Sequence, residues 1–263
     1  MKSISNSSLR RFNIIMGCLH FIQGGFMLFV ALYFDKARNF TPSIISNYLT
    51  FDVTQMRLVT VSQKLFPLPF ALLVAAFLFI SAIAHLIIVL PKTNAIYNRG
   101  LEKGINPFRW YEYALSSSIM IVLISVLFGV YDISTLILIF ALNASMNLFG
   151  LLMEKINQYT TKTSWSPFVF GSIAGIAPWI VILLNAFGNS NPAEVPWFVY
   201  AIISSYFIFF NLFPINIILQ YKKIGKWSSY IYGERVYIIL SLVACAVIFY
   251  LKLKCYRWKI YCL

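Results

Sequence analysis

The chain has 263 residues, of which 60% are hydrophobic and only 11% charged, and its mean hydropathy is +0.78. That composition excludes a soluble globular enzyme and indicates an integral membrane protein. The net charge of +13 comes from Lys and Arg placed between apolar runs, which points to topology and anionic lipid headgroups and away from nucleic acid.

Residues 1–11 are polar and basic (Lys2, Arg10, Arg11) and no small-residue cleavage site follows the next apolar run, so a retained N-terminal segment is expected. A first helix over 12–34 carries His20 and Gln23, three residues apart and therefore on one face. A membrane histidine there either bonds a neighbouring carbonyl or belongs to a functional polar cluster. Residues 35–64 form the longest loop, and the alternation at 57–61 permits a small hairpin. A second helix spans 66–90, with Pro67 and Pro69 in its opening turn, His85 near its far end and Pro91 terminating it. Residues 92–109 read as a basic linker.

The third helix opens with RWYEYALSSS (109–118) and runs to about residue 130. Glu112 lies inside this membrane-length apolar segment, where a carboxylate is costly and normally faces the bundle interior to find a partner. Two partners are open: a cation supplied from within the bundle, or Arg109 one turn away at the membrane edge. A two-residue link at Tyr131 and Asp132 makes the fourth helix (133–153) antiparallel to the third, and its Asn143, Ser145 and Asn147 read as interhelical glue. Glu154 and Lys155 close it at the membrane edge. In the fifth helix (167–187), Gly171, Gly175, Pro178 and Trp179 suggest close packing or a kink against a flat group. A sixth helix covers 196–220 with Pro214 near its end, and a seventh starts near Tyr230. The expectation is an all-α membrane protein, a seven-transmembrane-helix bundle over 12–251 with a cytoplasmic N-terminal segment (1–11) and a basic C-terminal tail (252–263).

Cys18, Cys245, Cys255 and Cys262 show no metal spacing and imply no disulfide framework. No nucleotide-binding glycine motif and no nucleophile with a partnering base is visible, so the chain reads as a non-enzyme. Basic residues cluster at the N-terminus, at 92–109 and in later linkers on the same side (Lys155, Lys162, Lys222, Lys223, Lys226), which assigns that side to the cytoplasm. Seven spans then put the C-terminus outside, although its tail holds Lys252, Lys254, Arg257 and Lys259.

RWYEYALSSSIMI (109–121) resembles the third-helix signature of the heliorhodopsins, microbial retinal photoreceptors with a cytoplasmic N-terminus. The chain is similar to that family also at HFIQ (20–23), SAIAHL (81–86), GLLMEK (150–155), NLFPINIILQY (211–221) and YGERVYIILSLVA (232–244), in that order. The resemblance implies that Glu112 is the counterion of a protonated retinal Schiff base, since a carboxylate at about 4–6 Å favours the charged form of a basic group. It implies a retinal pocket with Ser117 and Ser241, to which the flat indole of Trp179 is added, and a polar, proton-accepting cluster of His20 and His85 with Gln23 beside them. It further implies a homodimer in the membrane and a signalling partner of unknown identity.

Where the family carries its retinal lysine, one turn after Ser241, this chain has Cys245, and a thiol forms no imine. Lys252 falls on nearly the same helix face but about 10 Å farther along the axis, toward the headgroups. The resemblance is read over about residues 10–244 and stops at Cys245. Two readings follow: a heliorhodopsin-type light sensor that signals rather than pumps, its C-terminus altered by divergence or by a shifted reading frame, or a pigment-free seven-helix scaffold or transporter. Ion transport has little support in the exterior half, where Glu194 and scattered amides are the main polar groups. The topology is checked by impermeant labelling of single cysteines in intact cells. Positions within 35–64 should react and positions 2–8 should not.

Overall fold

A chain this apolar must satisfy its backbone hydrogen bonds within itself, and helices do so segment by segment. The computed structural model describes residues 6–188 and 197–257, with backbone alone at 197–199, 202 and 247–257. The described elements are α1 (Asn6–Tyr33), α2 (Asp35–Arg38), β1 (Ser43–Asp52), β2 (Arg57–Pro67), α3 (Phe70–Val89), α4 (Pro91–Glu102), α5 (Pro107–Leu127), α6 (Ile133–Ile156), α7 (Ser166–Phe187), α8 (Trp197–Tyr221), a 3-10 turn (Gly225–Ser228) and α9 (Tyr230–Arg257). Among them, α1, α3, α5, α6, α7 and α8 are long and apolar enough to cross a membrane. Their outer faces expose Ile22, Ile137, Leu138, Ile173 and Leu184, surfaces that suit lipid and not water. Glu194 lies outside the described residues.

The long helices pack in a ring. α9 lies against α1, α1 against α3, α3 against α5, α5 against α6 and α6 against α7, while α8 packs on α9. Trp179 of α7 closes the remaining side, edge-on to Phe207 and Phe210 of α8 at ring separations of 5.4 and 5.3 Å. Gly171 and Gly175 serve the close approach of α7 to α6: a Cβ on Gly171 would sit 3.1 Å from the Phe149 Cβ, and one on Gly175 would overlap the Met146 sulfur. At the end of the bundle where α5 finishes, Met27, Ile44, Phe70, Val74, Val126, Val130, Leu136 and Ile182 form a dry apolar core.

Several boundaries differ from the sequence expectation, each for a local reason. α1 begins at Asn6, within the expected N-terminal segment, because Arg10 is fixed there. Its guanidinium donates to the Val89 carbonyl at 2.8 and 3.0 Å, satisfying an orphan acceptor at the end of α3. Residues 91–102 form α4, not a linker, with Pro91 at the first turn and Tyr97 and Leu101 buried. Proline fits that position because the missing N–H would be unpaired anyway. α3 starts at Phe70, not residue 66, because Phe66 and Pro67 pair in the hairpin. α6 continues to Ile156, and α9 continues to Arg257, beyond the expected boundary at 251.

The hairpin is longer than the alternation at 57–61 suggested. It pairs Ser43 with Pro67 at one end and Asp52 with Arg57 at the other, with a register shift between Ile44 and Ile45. Hydrogen bonds from Ile45 and Asn47 tether it to the α5–α6 connection. The Ile45 N–H donates to the Tyr131 carbonyl at 3.0 Å, and the Asn47 side-chain amide donates to Asp132 at 3.3 Å. Asp132 is also the N-cap of α6, accepting from the Thr135 N–H and hydroxyl, each at 2.9 Å. The Thr135 N–H holds the Asp132 carboxyl below the usual carboxylate range. A depressed folded-state value means that this cap contributes at neutral pH and is lost only as acidification passes below it. Asp132→Ala is expected to cost about 1 kcal/mol, the usual loss for an N-cap. Thermal unfolding in detergent should show the difference from the parent protein at pH 7 and a smaller one near pH 3.

Candidate functional site

The inward faces of α1, α3, α5 and α9 enclose a cavity whose polar lining is Asn13, Ser81, His85, Asn106, Arg109, Glu112, Glu234 and Ser241. Helical spacing delivers these groups: Ser81 and His85 are one turn apart on α3, and Glu112 follows Arg109 by one turn on α5. Asn106 caps α5, its side chain accepting the Arg109 N–H at 3.3 Å, which fixes the helix start at Pro107.

Glu112 accepts a hydrogen bond from the Ser81 hydroxyl at 2.7 Å, and the Ser116 hydroxyl is also within hydrogen-bonding reach. Among the described residues it pairs with no cation. The pairing of Glu112 with Arg109, open on sequence grounds, is not formed. Arg109 turns instead to two other carboxylates, Glu154 of α6 and Glu234 of α9.

That arrangement is almost completely buried: Arg109 is 5% exposed, Glu154 3% and Glu234 2%. Glu234 also accepts from the Asn106 side-chain amide at 2.7 Å and the Tyr97 hydroxyl at 3.1 Å. Glu154 accepts from the Asn106 N–H and the Tyr230 hydroxyl, both at 2.9 Å. The Tyr237 ring lies 4.0 Å and the Trp110 ring 4.8 Å from the guanidinium carbon. Glu154, read from the sequence as closing α6 at the membrane edge, is near the end of that helix and is buried against Arg109. Glu234 was not singled out in the sequence, although a cation inside an apolar bundle requires an anion.

His20 is fully buried, and its ring stacks on His85 with 5.5 Å between centroids and 17° between planes. Gly17 permits this contact, since a Cβ there would stand 3.0 Å from the His85 Cβ. His85 Nδ1 lies 2.8 Å from Asn13 Oδ1, and the Asn13 amide donates to the Leu9 carbonyl at 3.0 Å. With Oδ1 so assigned as acceptor, His85 Nδ1 donates, and a neutral ring keeps Nε2 as its acceptor. Both ring nitrogens of His20 and the Gln23 Oε1 are buried without a hydrogen-bond partner among the described residues.

The structure thus gathers Glu112, His85 and Ser241 around one cavity with His20 behind His85. Gln23, Ser117 and Trp179 do not line that cavity. Ser117 donates to the Tyr113 carbonyl at 2.6 Å and receives the Asn143 and Asn147 amides at 2.8 and 3.0 Å, which joins α5 to α6. The α6 amides act as the interhelical glue expected of them. Trp179 belongs to the apolar core together with Met120, Ile121, Ile124 and Cys245. Cys245 is 5% exposed, within hydrogen-bonding reach of Ser241 and within reach of the Glu112 charge. α9 is continuous from there to Arg257, so Lys252 stands two turns farther along the same helix.

A family model described as Heliorhodopsin matches residues 9–254. The match continues through Cys245 and past Ala244, where the similarity was expected to stop. No curated protein matches the chain.

Arg109→Ala would leave Glu154 and Glu234 buried without their cation, and breaking a buried pair in this way costs about 3–5 kcal/mol. Glu112→Gln keeps an acceptor for Ser81 and should change stability little. Thermal unfolding of the two variants in detergent is expected to show a large fall for the first and a small one for the second.

Proposed function

The chain belongs to the heliorhodopsin family, and from that premise we propose a light-sensing membrane protein in which Glu112 is the carboxylate that faces the chromophore's positive charge. One observation carries the reading: Glu112 sits on the wall of an interior cavity, held by hydroxyl donors and paired with no protein cation among the described residues. Retinal, when bound, would supply a polyene that isomerises in light and a basic nitrogen that carries the charge. The residues present fit this group in part. Glu112 and Ser241 suit the charged end, and the core containing Trp179, Met120 and Cys245 suits an apolar chain. Position 245 does not fit, because its thiol cannot replace a lysine amine, and no covalent step through this residue is derived.

In this reading Glu112 holds positive charge in the bundle, Ser81 orients its carboxylate, and the His85–His20 stack accepts a proton displaced toward α1 and α3. Signalling is favoured over pumping because the apolar core beyond the cavity, including Met120 to Val126 on α5, offers no polar route to the hairpin end among the described residues. The proposed topology has seven spans, with the N-terminus cytoplasmic, the hairpin outside and α9 as the last crossing. A homodimer and a separate signalling partner are proposed from the family resemblance. Cys245 favours one alternative, a pigment-free scaffold or transporter that keeps the fold.

The test is pigment formation with all-trans retinal. Cys245→Lys should yield a visible absorbance band that borohydride traps at residue 245, and adding Glu112→Gln should shift or abolish the band. The unmodified chain should give no trapped adduct. A folded Cys245→Lys protein that forms no pigment would favour the pigment-free alternative.

A further inference from the structure

The short helix α4 presents two faces of different character. Its inner face turns Tyr97 and Leu101 into one apolar cluster with Leu9, Ile88 and Ile238. From that face the Tyr97 hydroxyl donates to Glu234 at 3.1 Å, so α4 stands one hydrogen bond from the Arg109 cluster. At about 100° per residue, Lys92, Ile96, Arg99 and the C-cap Lys103 fall in one narrow stripe on the opposite face, about 16 Å long. All four are exposed, Ile96 to 51%. None of the three cations has an ion pair among the described residues. Glu102, the only acid of α4, lies about a quarter turn to one side.

Both ends of α4 are fixed. At its start, the Thr93 and Asn94 side chains donate to the Leu90 and Ile88 carbonyls at 3.2 and 3.1 Å, and Arg10 donates to the Val89 carbonyl, so the last acceptors of α3 are satisfied across the joint. At its end, the Ile105 N–H donates to the Gly100 carbonyl at 3.0 Å, and the Gln158 side-chain amide donates to the Lys103 carbonyl at 2.7 Å. The stripe is therefore held in a set orientation, and docking against it requires little ordering of the helix that carries it.

We propose that the outer face of α4 is the docking surface for an acidic segment of a soluble protein, whose carboxylates pair with Lys92, Arg99 and Lys103 around the apolar spot at Ile96. Charge complementarity sets the sign of the partner. A second copy of the chain would bring like charges together at this face. Lipid headgroups are the poorer fit, because the inner face rests on the end of the bundle between the last turn of α3 and the first of α5, and the opposite face looks away from the apolar flanks of the long helices. The stripe also holds no aromatic ring on which single-stranded nucleic acid could stack. A partner held there would bear on Glu234 through Tyr97. This surface would serve the signalling role proposed above, but it needs no pigment, and docking is tested without one.

The probe is fluorescein-labelled decaglutamate, titrated into the full chain in nanodiscs of phosphatidylcholine and followed by anisotropy. Saturable binding that weakens as salt is raised is expected, because exposed charges are screened. The combined Lys92→Glu, Arg99→Glu and Lys103→Glu variant should bind at least about tenfold more weakly. The combined Lys222→Glu, Lys223→Glu and Lys226→Glu variant makes the same change in formal charge at another exposed basic segment, and its binding should stay within about threefold of the parent. One arm needs no variant: carbodiimide coupling of the peptide to the unmodified chain should map to Lys92 and Lys103.

Absence of saturable binding, equal loss in the two triple variants, or coupling confined to Lys222, Lys223 and Lys226 would overturn the proposal. Tighter binding of labelled decauridylate to the same stripe would also overturn it. Phosphatidylserine should be retained equally by the parent and the α4 variant purified from mixed micelles, and its selective loss from the variant would give the stripe to lipid instead. None of these results bears on pigment formation by Cys245→Lys, so the light-sensing reading stands or falls separately.

Discussion

Arg109 between Glu154 and Glu234 is the constraint on which the rest of the site depends. One guanidinium joins α5 to α6 and α9, and Asn106, Tyr97 and Tyr230 fill the remaining valences of the two carboxylates. A charge group of this kind is tolerated in an apolar bundle only when each member is satisfied, so its geometry leaves little freedom. That rigidity determines the register of α5 and with it the position of Glu112, one turn beyond. It also withdraws the nearest strong cation from Glu112, and the free charge at the cavity is therefore a product of the ion cluster beside it.

The two polar regions differ in kind. In the Arg109 cluster both carboxylates are matched by protein donors, while the guanidinium Nε, Trp110 Nε1 and the Tyr237 hydroxyl have no hydrogen-bond partner among the described residues. The Glu112 region is open, with a carboxylate on a cavity wall and a histidine pair in which His20 has no hydrogen-bond partner among the described residues. Incomplete pairing inside a bundle costs stability, and it is the usual mark of a place where a ligand or a proton is exchanged.

Much of this was legible in the sequence because charge inside apolar runs is conspicuous. Glu112, His20 and His85 stood out on that ground alone; Glu112 and His85 line one cavity, and His20 stacks on His85. The burial of Glu154 was not legible, because a carboxylate beside Lys155 at the end of an apolar run looks interfacial. Only Asn106 and Tyr230, brought from distant parts of the chain, bury it. α4 was missed because Pro91 terminates one helix and begins the next, and the same residue type serves both purposes. The hairpin was underestimated because β2 is exposed on both faces along most of its length, so no buried face imposes a regular alternation on its sequence. Ser117 and Trp179 do not line the cavity: Ser117 receives the α6 amides, and Trp179 packs in the apolar core.

The dry core beyond the cavity also bears on how the molecule meets an electric field. The cavity lies at the end of the bundle where α5 begins, and Val126, Val130, Leu136 and Ile182 fill the other end. In the proposed reading, a proton passing from Glu112, which is level with Ser81, to His85 moves about one helical turn along α3, toward the end of the bundle where α5 begins. Carrying one charge across the full membrane thickness is worth about 2.3 kcal/mol per 100 mV, and a step of one turn engages only a fraction of that. Membrane voltage would therefore act only weakly on this exchange.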